Sequence, residues 1–360
     1  MPAGIFDRMS MPDPAAPSDA TGNAGWRHSV ADFQRASAAR AIWQIVSTLI
    51  PYGLVWCAMY YSLAVSWWIT APLAVLSGAL LVRVFIIFHD CGHGSYFRSR
   101  AANEAVGFAA GVLTLTPYYH WRWEHSIHHG SASHLDKRGI GDVWTMTVQE
   151  YLEASRWKRF AYRLARNPVV LFVLAPMLVF VVIQRFPVPK AARRERESVW
   201  WTNLGIILLA VAFCQVFSPL DYLIIKIIET AVGGGVGIWL FYVQHQFEGA
   251  YWEREDRWDY TAAALQGSSF YKLPRVLQWF TGNIGFHHIH HLSARIPNYH
   301  LQKCHEAVAM FKQVRPLTLR SSLKSAALHL WDEQARMLVG FGYLRQFQNA
   351  RATNAGARPS

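Results

Sequence analysis

The sequence predicts an all-α integral membrane protein with four transmembrane helices in two hairpins, plus interfacial helices and a polar cap on one side. Three observations carry that prediction. Hydrophobic residues make up 52% of the chain against 16% charged, with 16 Trp, 15 Tyr and 20 Phe, a composition suited to lipid-embedded helices with aromatic interfacial belts. Six apolar stretches stand out, at 41–63, 66–88, 105–118, 168–184, 199–217 and 221–243. Lys and Arg are distributed unevenly between them.

Taken in order, 41–63, 66–88, 199–217 and 221–243 each approach the roughly 20 apolar residues that a spanning helix needs. The stretch 105–118 is too short. The stretch 168–184 carries Pro168 and Pro176 and is bent. The connections at Ala64-Val65 and Ser218-Pro219-Leu220 hold no Lys or Arg, whereas 89–167 and 244–360 hold many, and Arg185, Lys190, Arg193, Arg194 and Arg196 crowd the link before 199–217. Cytoplasmic segments collect such charge. The consistent solution pairs 41–63 with 66–88 and 199–217 with 221–243, leaves 105–118 and 168–184 interfacial or re-entrant, and places every polar segment on the cytoplasmic side.

A net charge of +12 raises nucleic acid as a partner, but no compact basic-aromatic module accompanies it, so nucleic acid is not expected. The charge suits anionic membrane lipids or an acidic redox protein. Cys57, Cys91, Cys214 and Cys304 form no CxxC pair, which argues against disulfide, iron–sulfur and zinc-thiolate sites. Residues 1–25 and 346–360 read as disordered tails, leaving 26–345 as one membrane domain.

Nine of the 16 histidines fall in three short clusters. His89 and His93 are i and i+4 apart just beyond the second apolar run, so a continuing helix puts them on one face. His125, His128 and His129 form an HxxHH, and His287, His290 and His291 repeat that spacing, with each cluster expected to present its imidazoles to one point. Eight imidazoles exceed what one metal accepts. Two ions share them at three or four nitrogens each, leaving positions for dioxygen. Imidazole suits iron, copper, zinc and nickel alike; iron is preferred because thiolates are lacking and the site faces apolar substrate. Without a metal, so many buried ring nitrogens would be costly.

These clusters, with Gly94-Ser95, Thr116-Pro117-Tyr118, Trp121, Gly141-Asp142, Gln244-His245-Gln246-Phe247-Glu248, Tyr251-Trp252, Gly282-Asn283-Ile284-Gly285 and Arg295-Ile296-Pro297-Asn298-Tyr299, resemble the membrane fatty acid desaturases, in particular the omega-6 (delta-12) acyl branch in a compact bacterial form. The resemblance runs from about residue 40 to 340. It implies a four-helix stem under a cytosolic helical cap holding two ferrous ions, in a bacterial inner membrane. His89, His93, His125, His128, His129, His287, His290 and His291 inherit the ligand role, and His245, just past the last apolar run, fits a further ligand. Asp90, Asp142 and Glu248 are candidates to orient ligands, His120 and His288 to lie beside them, and Asn283 to hold a metal-bound water or to cap and pack. His134, His300 and His305 are read as ordinary polar residues.

The function expected is insertion of a cis double bond into a fatty acyl chain using dioxygen and two electrons. No fused cytochrome signature is seen, so ferredoxin or a separate cytochrome is the expected donor. Aromatic-rich segments around 118–123 and 276–286 are candidates to line an acyl tunnel. The same scaffold could hydroxylate, acetylenate or conjugate an acyl chain or oxygenate a carotenoid. A metal transporter would place polar ligands near the bilayer midplane, and a haem carrier needs only one histidine from each facing helix.

Overall fold

A computed structural model describes residues 25–348; the predicted tails lie outside these except at their inner edges. Residues 343–348 are helical and Phe347 is buried, so the chain stays packed slightly past the boundary expected at 345.

The first hairpin forms as expected. Helix α1 (Ala38–Leu63) is followed by α2 (Trp67–His93), whose start is capped by Ser66 accepting from the Trp68 amide at 3.2 Å. Helix α2 is the hub of the stem and packs on α1, on α3 (Arg100–Leu113) and on α7 (Pro219–His245). Its approach to α7 is close at Gly78, where a Cβ would stand 2.9 Å from the Glu229 carbonyl and 2.8 Å from Val232. Tyr52 of α1 and Ser77 of α2 both donate to the fully buried Glu229 carboxylate, at 2.7 and 2.6 Å, and Lys226 pairs with its other oxygen. That carboxylate therefore ties three helices together away from water, where an unpartnered charge would be costly.

The second hairpin departs from expectation. Among the described residues three helices, α1, α2 and α7, are long and apolar enough to cross a membrane. The fourth expected span, 199–217, is instead the end of α6 (Arg193–Phe213), which begins in the charged run and stops short. From Val199 to Phe213 it reaches about 22 Å at 1.5 Å per residue, against an apolar thickness of about 30 Å. Past Phe213 the chain turns toward the Ser218-Pro219 start of the next helix, and Phe217 packs edge-on against Trp56 at 5.6 Å.

Between α3 and α6 the chain runs through α4 (Tyr118–Ser131), α5 (Arg156–Ala165) and a bent apolar segment, Val170–Arg185, at 62° to α5. Two π-helical turns in that segment flank Ala175–Met177, where Pro176 removes a backbone donor. This geometry is that of a broken span or a re-entrant loop, which includes the expectation for 168–184. Over the stem lie the short α8 (His287–Leu292) and α9 (Asn298–Ala307). The cap is not purely helical, a correction to the all-α expectation. Strands β1 (Met146–Thr147), β4 (Leu330–Asp332) and β5 (Met337–Val339) form one small sheet, and β2 (Phe270–Lys272) pairs in parallel with β3 (Pro316–Thr318). Both are too short to show in an alternating pattern.

Candidate metal centre

Each histidine cluster is placed by a helix end or a short helix. Helix α2 continues past the apolar run through His93, so His89 and His93 share a face, and Gly94 closes it at φ +69°. Helix α4 carries His125, His128 and His129, with Trp121 stacked one turn earlier on His125 at 4.2 Å. His245 is the last residue of α7. Helix α8 carries the third cluster and is anchored by the His288 amide donating to the Ser269 carbonyl at 3.2 Å.

All nine predicted ligands come together, in two adjoining groups. His89, His93, His125, His129 and His290 form one; His128, His245, His287 and His291 form the other. Within each group the donor nitrogens lie within 4.8 Å of one another. The division of labour differs from expectation, because neither HxxHH cluster serves a single point. His125 and His129, at i and i+4, face the first group while His128 faces the second; His287 and His291 face the second while His290 faces the first. The cause is helical geometry, in which consecutive residues are turned by about 100°.

The donor set fits metal ions. Nε2 atoms of His89 and His125, His125 and His129, His128 and His245, and His245 and His287 are each 3.1 Å apart, and those of His129 and His290 are 3.0 Å apart. Two imidazoles bound at about 2.1 Å and at right angles to each other on one ion are separated by about 3.0 Å. Nε2 of His93 and of His291 is buried with no hydrogen-bond partner among the described residues, as expected of lone pairs reserved for a cation. Burial, reinforced by neighbouring imidazoles, holds His125, His129, His287, His290 and His291 well below the usual histidine range. They therefore present neutral, metal-ready nitrogens.

The supporting residues sort more sharply than the sequence suggested. Asp90 Oδ1 lies 3.0 Å from Nδ1 of His89, while its Oδ2 accepts from the backbone and side-chain amides of Asn298 at 2.6 and 2.8 Å. Asp142 lies 2.6 Å from Nδ1 of His128, presented by a turn in which Gly141 takes φ +70° and sits against Glu124 and His128. Of the other four candidates, Asn283 takes the packing role that was one of its two expected readings, and Glu248, His288 and His120 lie outside both groups. Glu248 is exposed and faces Lys324 at 3.9 Å. Asn283 spends its side chain on Gln278 and on the Asn298 carbonyl, at 2.7 and 3.1 Å, and so packs the loop that carries Asn298. His288 points away from both groups into a pocket of Phe270, His305 and Phe311, and burial pushes it down to about 3. His120 is buried, 3.7 Å from Glu124, outside both groups.

A cavity of about 240 Å³ runs between α2, α7 and the bent segment and ends on His89, His125 and His287, touching both groups. Its walls are mainly apolar, from Leu81, Val82, Phe85, Phe180, Ile238 and Phe241, with Gly237 open to it. Of the aromatic-rich segments expected to line it, Trp121 and Ile284 do so; the two long helices supply most of the rest. One residue escaped the sequence reading. Glu124 is the acid lining the cavity, and burial raises its carboxyl above the usual range. Its position immediately before His125 was the available signal.

Three helices long and apolar enough to cross a membrane thus lie beneath two adjoining polyhistidine groups that could each hold a metal ion, with an apolar cavity reaching both. The chain belongs to the fatty acid desaturase family, whose model matches residues 66–315. It is 47% identical over 87% of its length to a fatty acid desaturase of Bacillus subtilis, covering 89% of that protein. It is 27% identical to an sn-1 oleoyl-lipid 12-desaturase of Picosynechococcus, covering 69% of this chain and 72% of that one. An sn-2 acyl-lipid omega-3 desaturase (ferredoxin) of Helianthus annuus is 26% identical over 75% of this chain and 62% of its own.

Proposed function

We propose that this desaturase inserts a cis double bond at the delta-12 (omega-6) position of a monounsaturated acyl lipid, at the cytoplasmic face of a bacterial inner membrane. The observation that carries the reading is the apolar cavity ending on both histidine groups at once. A chain lying in it brings neighbouring methylenes to both. The nine histidines would hold two irons, which supply the oxidising power of dioxygen when bound. The balance is that one dioxygen becomes two waters, taking two hydrogens from adjacent methylenes plus two electrons and two protons from outside. A separate donor, ferredoxin or a cytochrome, provides the electrons; the 12-desaturases and the ferredoxin-linked omega-3 enzyme among the relatives support both parts.

The chain's own residues do the positioning. Asp90 and Asp142 fix the tautomer and orientation of His89 and His128. Leu81, Val82, Phe180 and Phe241 exclude water from the acyl chain. Glu124, whose carboxyl burial raises above the usual range, places an acidic group at the cavity wall beside His125.

Expression in a host lacking polyunsaturates, followed by gas chromatography of fatty acid methyl esters, tests the reading. A new diene derived from the host monoene is expected, and its loss in His128→Ala with membrane insertion intact. A hydroxy acid, or a triene formed only from supplied diene, would replace the delta-12 assignment with another oxidation.

A further inference from the structure

Helix α5 carries two parallel rows. Arg156, Arg159 and Arg163 repeat at i, i+3 and i+7; Trp157, Phe160 and Leu164 repeat at the same spacing about 100° around the helix. The apolar row is 80%, 59% and 50% exposed, so the described chain does not cover it. The arginine row opens into a cleft of about 690 Å³ whose opposite wall is Phe341 to Gln348, including Arg345, and no Asp or Glu lines it. Arg163 is fixed there: its Nε donates to the Tyr151 hydroxyl at 2.6 Å and its guanidinium lies 4.7 Å from the Phe341 ring centre. Arg156, Arg159 and Arg345 make no ion pair or side-chain hydrogen bond among the described residues. Elsewhere in the cap, Arg138 pairs with Glu150, Arg254 with Asp136 and Glu333, and Arg336 with Glu253. A cleft lined by four guanidiniums and by no described carboxylate is a place that negative charge supplied from outside would neutralise.

We propose that this cleft binds the phosphodiester headgroup of an anionic phospholipid. Two features favour lipid over an acidic protein. The exposed Trp157–Phe160–Leu164 row lies beside the arginines, the pattern of a helix lying in the membrane interface. The chain then leaves α5 through Pro168 and the exposed Val169 directly into the apolar segment Val170–Arg185, whose Val173, Leu174 and Leu178 are exposed. The cleft is thus continuous with the surface that meets acyl chains. A phosphodiester offers two anionic oxygens, which guanidinium forks match.

The test reads lipid retention and not desaturation, so it stands or falls apart from the reaction assigned above. Full-length protein, purified in mild detergent, is titrated with phosphatidylglycerol, phosphatidylcholine or inorganic phosphate and followed by native mass spectrometry and thermal unfolding. Wild type is expected to retain phosphatidylglycerol about tenfold better than phosphatidylcholine, a preference that added salt erodes. The triple variant R156Q/R159Q/R345Q is expected to lose the preference at unchanged iron content. Arg345→Gln alone, on the terminal segment, should lose part of it and serves if the triple variant does not fold. Equal preference in wild type and variant would overturn the proposal. So would a stabilisation by inorganic phosphate that matches phosphatidylglycerol.

Discussion

Asp142 holds Nδ1 of His128 at 2.6 Å, leaving Nε2 of the same ring 3.1 Å from Nε2 of His245. The carboxylate thereby decides which nitrogen of His128 faces the second group. Ligand-orienting carboxylates typically contribute 10- to 100-fold in metal affinity or activity, so Asp142→Ala should lower iron retention or turnover by about that factor. Glu248→Gln, at the exposed acid facing Lys324, should change neither. Iron content after chelator challenge, measured beside product yield, checks both.

Acid should destabilise the metal-free protein. His125, His129, His287, His290 and His291 are held below the usual range by burial, and His288 is pushed down to about 3. In the unfolded chain each titrates near 6.5. As pH falls through 6.5 the unfolded chain takes up protons that the folded one refuses, so stability present above 6.5 is progressively lost below it. Thermal unfolding of iron-free protein should therefore drop steeply between pH 7 and pH 5.5. His288→Leu should flatten that slope while leaving iron content unchanged, because His288 lies outside both groups.

Two glycines of α7 separate packing from cavity space. A Cβ at Gly234 would meet Pro176 at 2.9 Å and Phe180 at 3.0 Å, whereas at Gly237 it would meet nothing within 4 Å. Gly234→Ala should lower the melting temperature, and Gly237→Ala should be nearly silent. Gly237→Phe should fill the cavity and reduce desaturated product by at least about tenfold with iron retained. An unchanged product profile in Gly237→Phe would detach the cavity from the acyl chain.

Glu229→Ala would leave Lys226, Tyr52 and Ser77 without their shared acceptor inside the stem. A loss of about 3 kcal/mol is expected for breaking a buried ion pair, read as lowered thermal stability in detergent. Glu229→Gln, which keeps an acceptor oxygen for the two hydroxyls, should recover part of it.

The convergence of the nine candidate histidines was legible in the sequence because i, i+3 and i+4 spacing survives folding unchanged. Their partition was not: whether His128 shares an ion with His129 depends on where α7 delivers His245. Asp142 and Glu248 looked equivalent, both a short way from ligands, and only the Gly141 turn on one side and the exposed Lys324 contact on the other distinguish them. The first hairpin followed from its apolar runs and the uncharged Ala64-Val65 connection between them. The bounds of α6 did not, because the helix begins in the charged run at Arg193 and ends at Phe213, before the apolar stretch is complete. The strands of the cap, two or three residues each, carry too little pattern to be read.

Helices α4 and α8 each extend imidazoles to both groups, and α2 and α7 complete one group apiece. The two seats therefore share a common frame, like two locks on one bolt. Stripping a cation from either seat frees rings on the very helices that shape the other, so occupancy should rise and fall as a pair, and a half-filled enzyme should be scarce at any iron concentration.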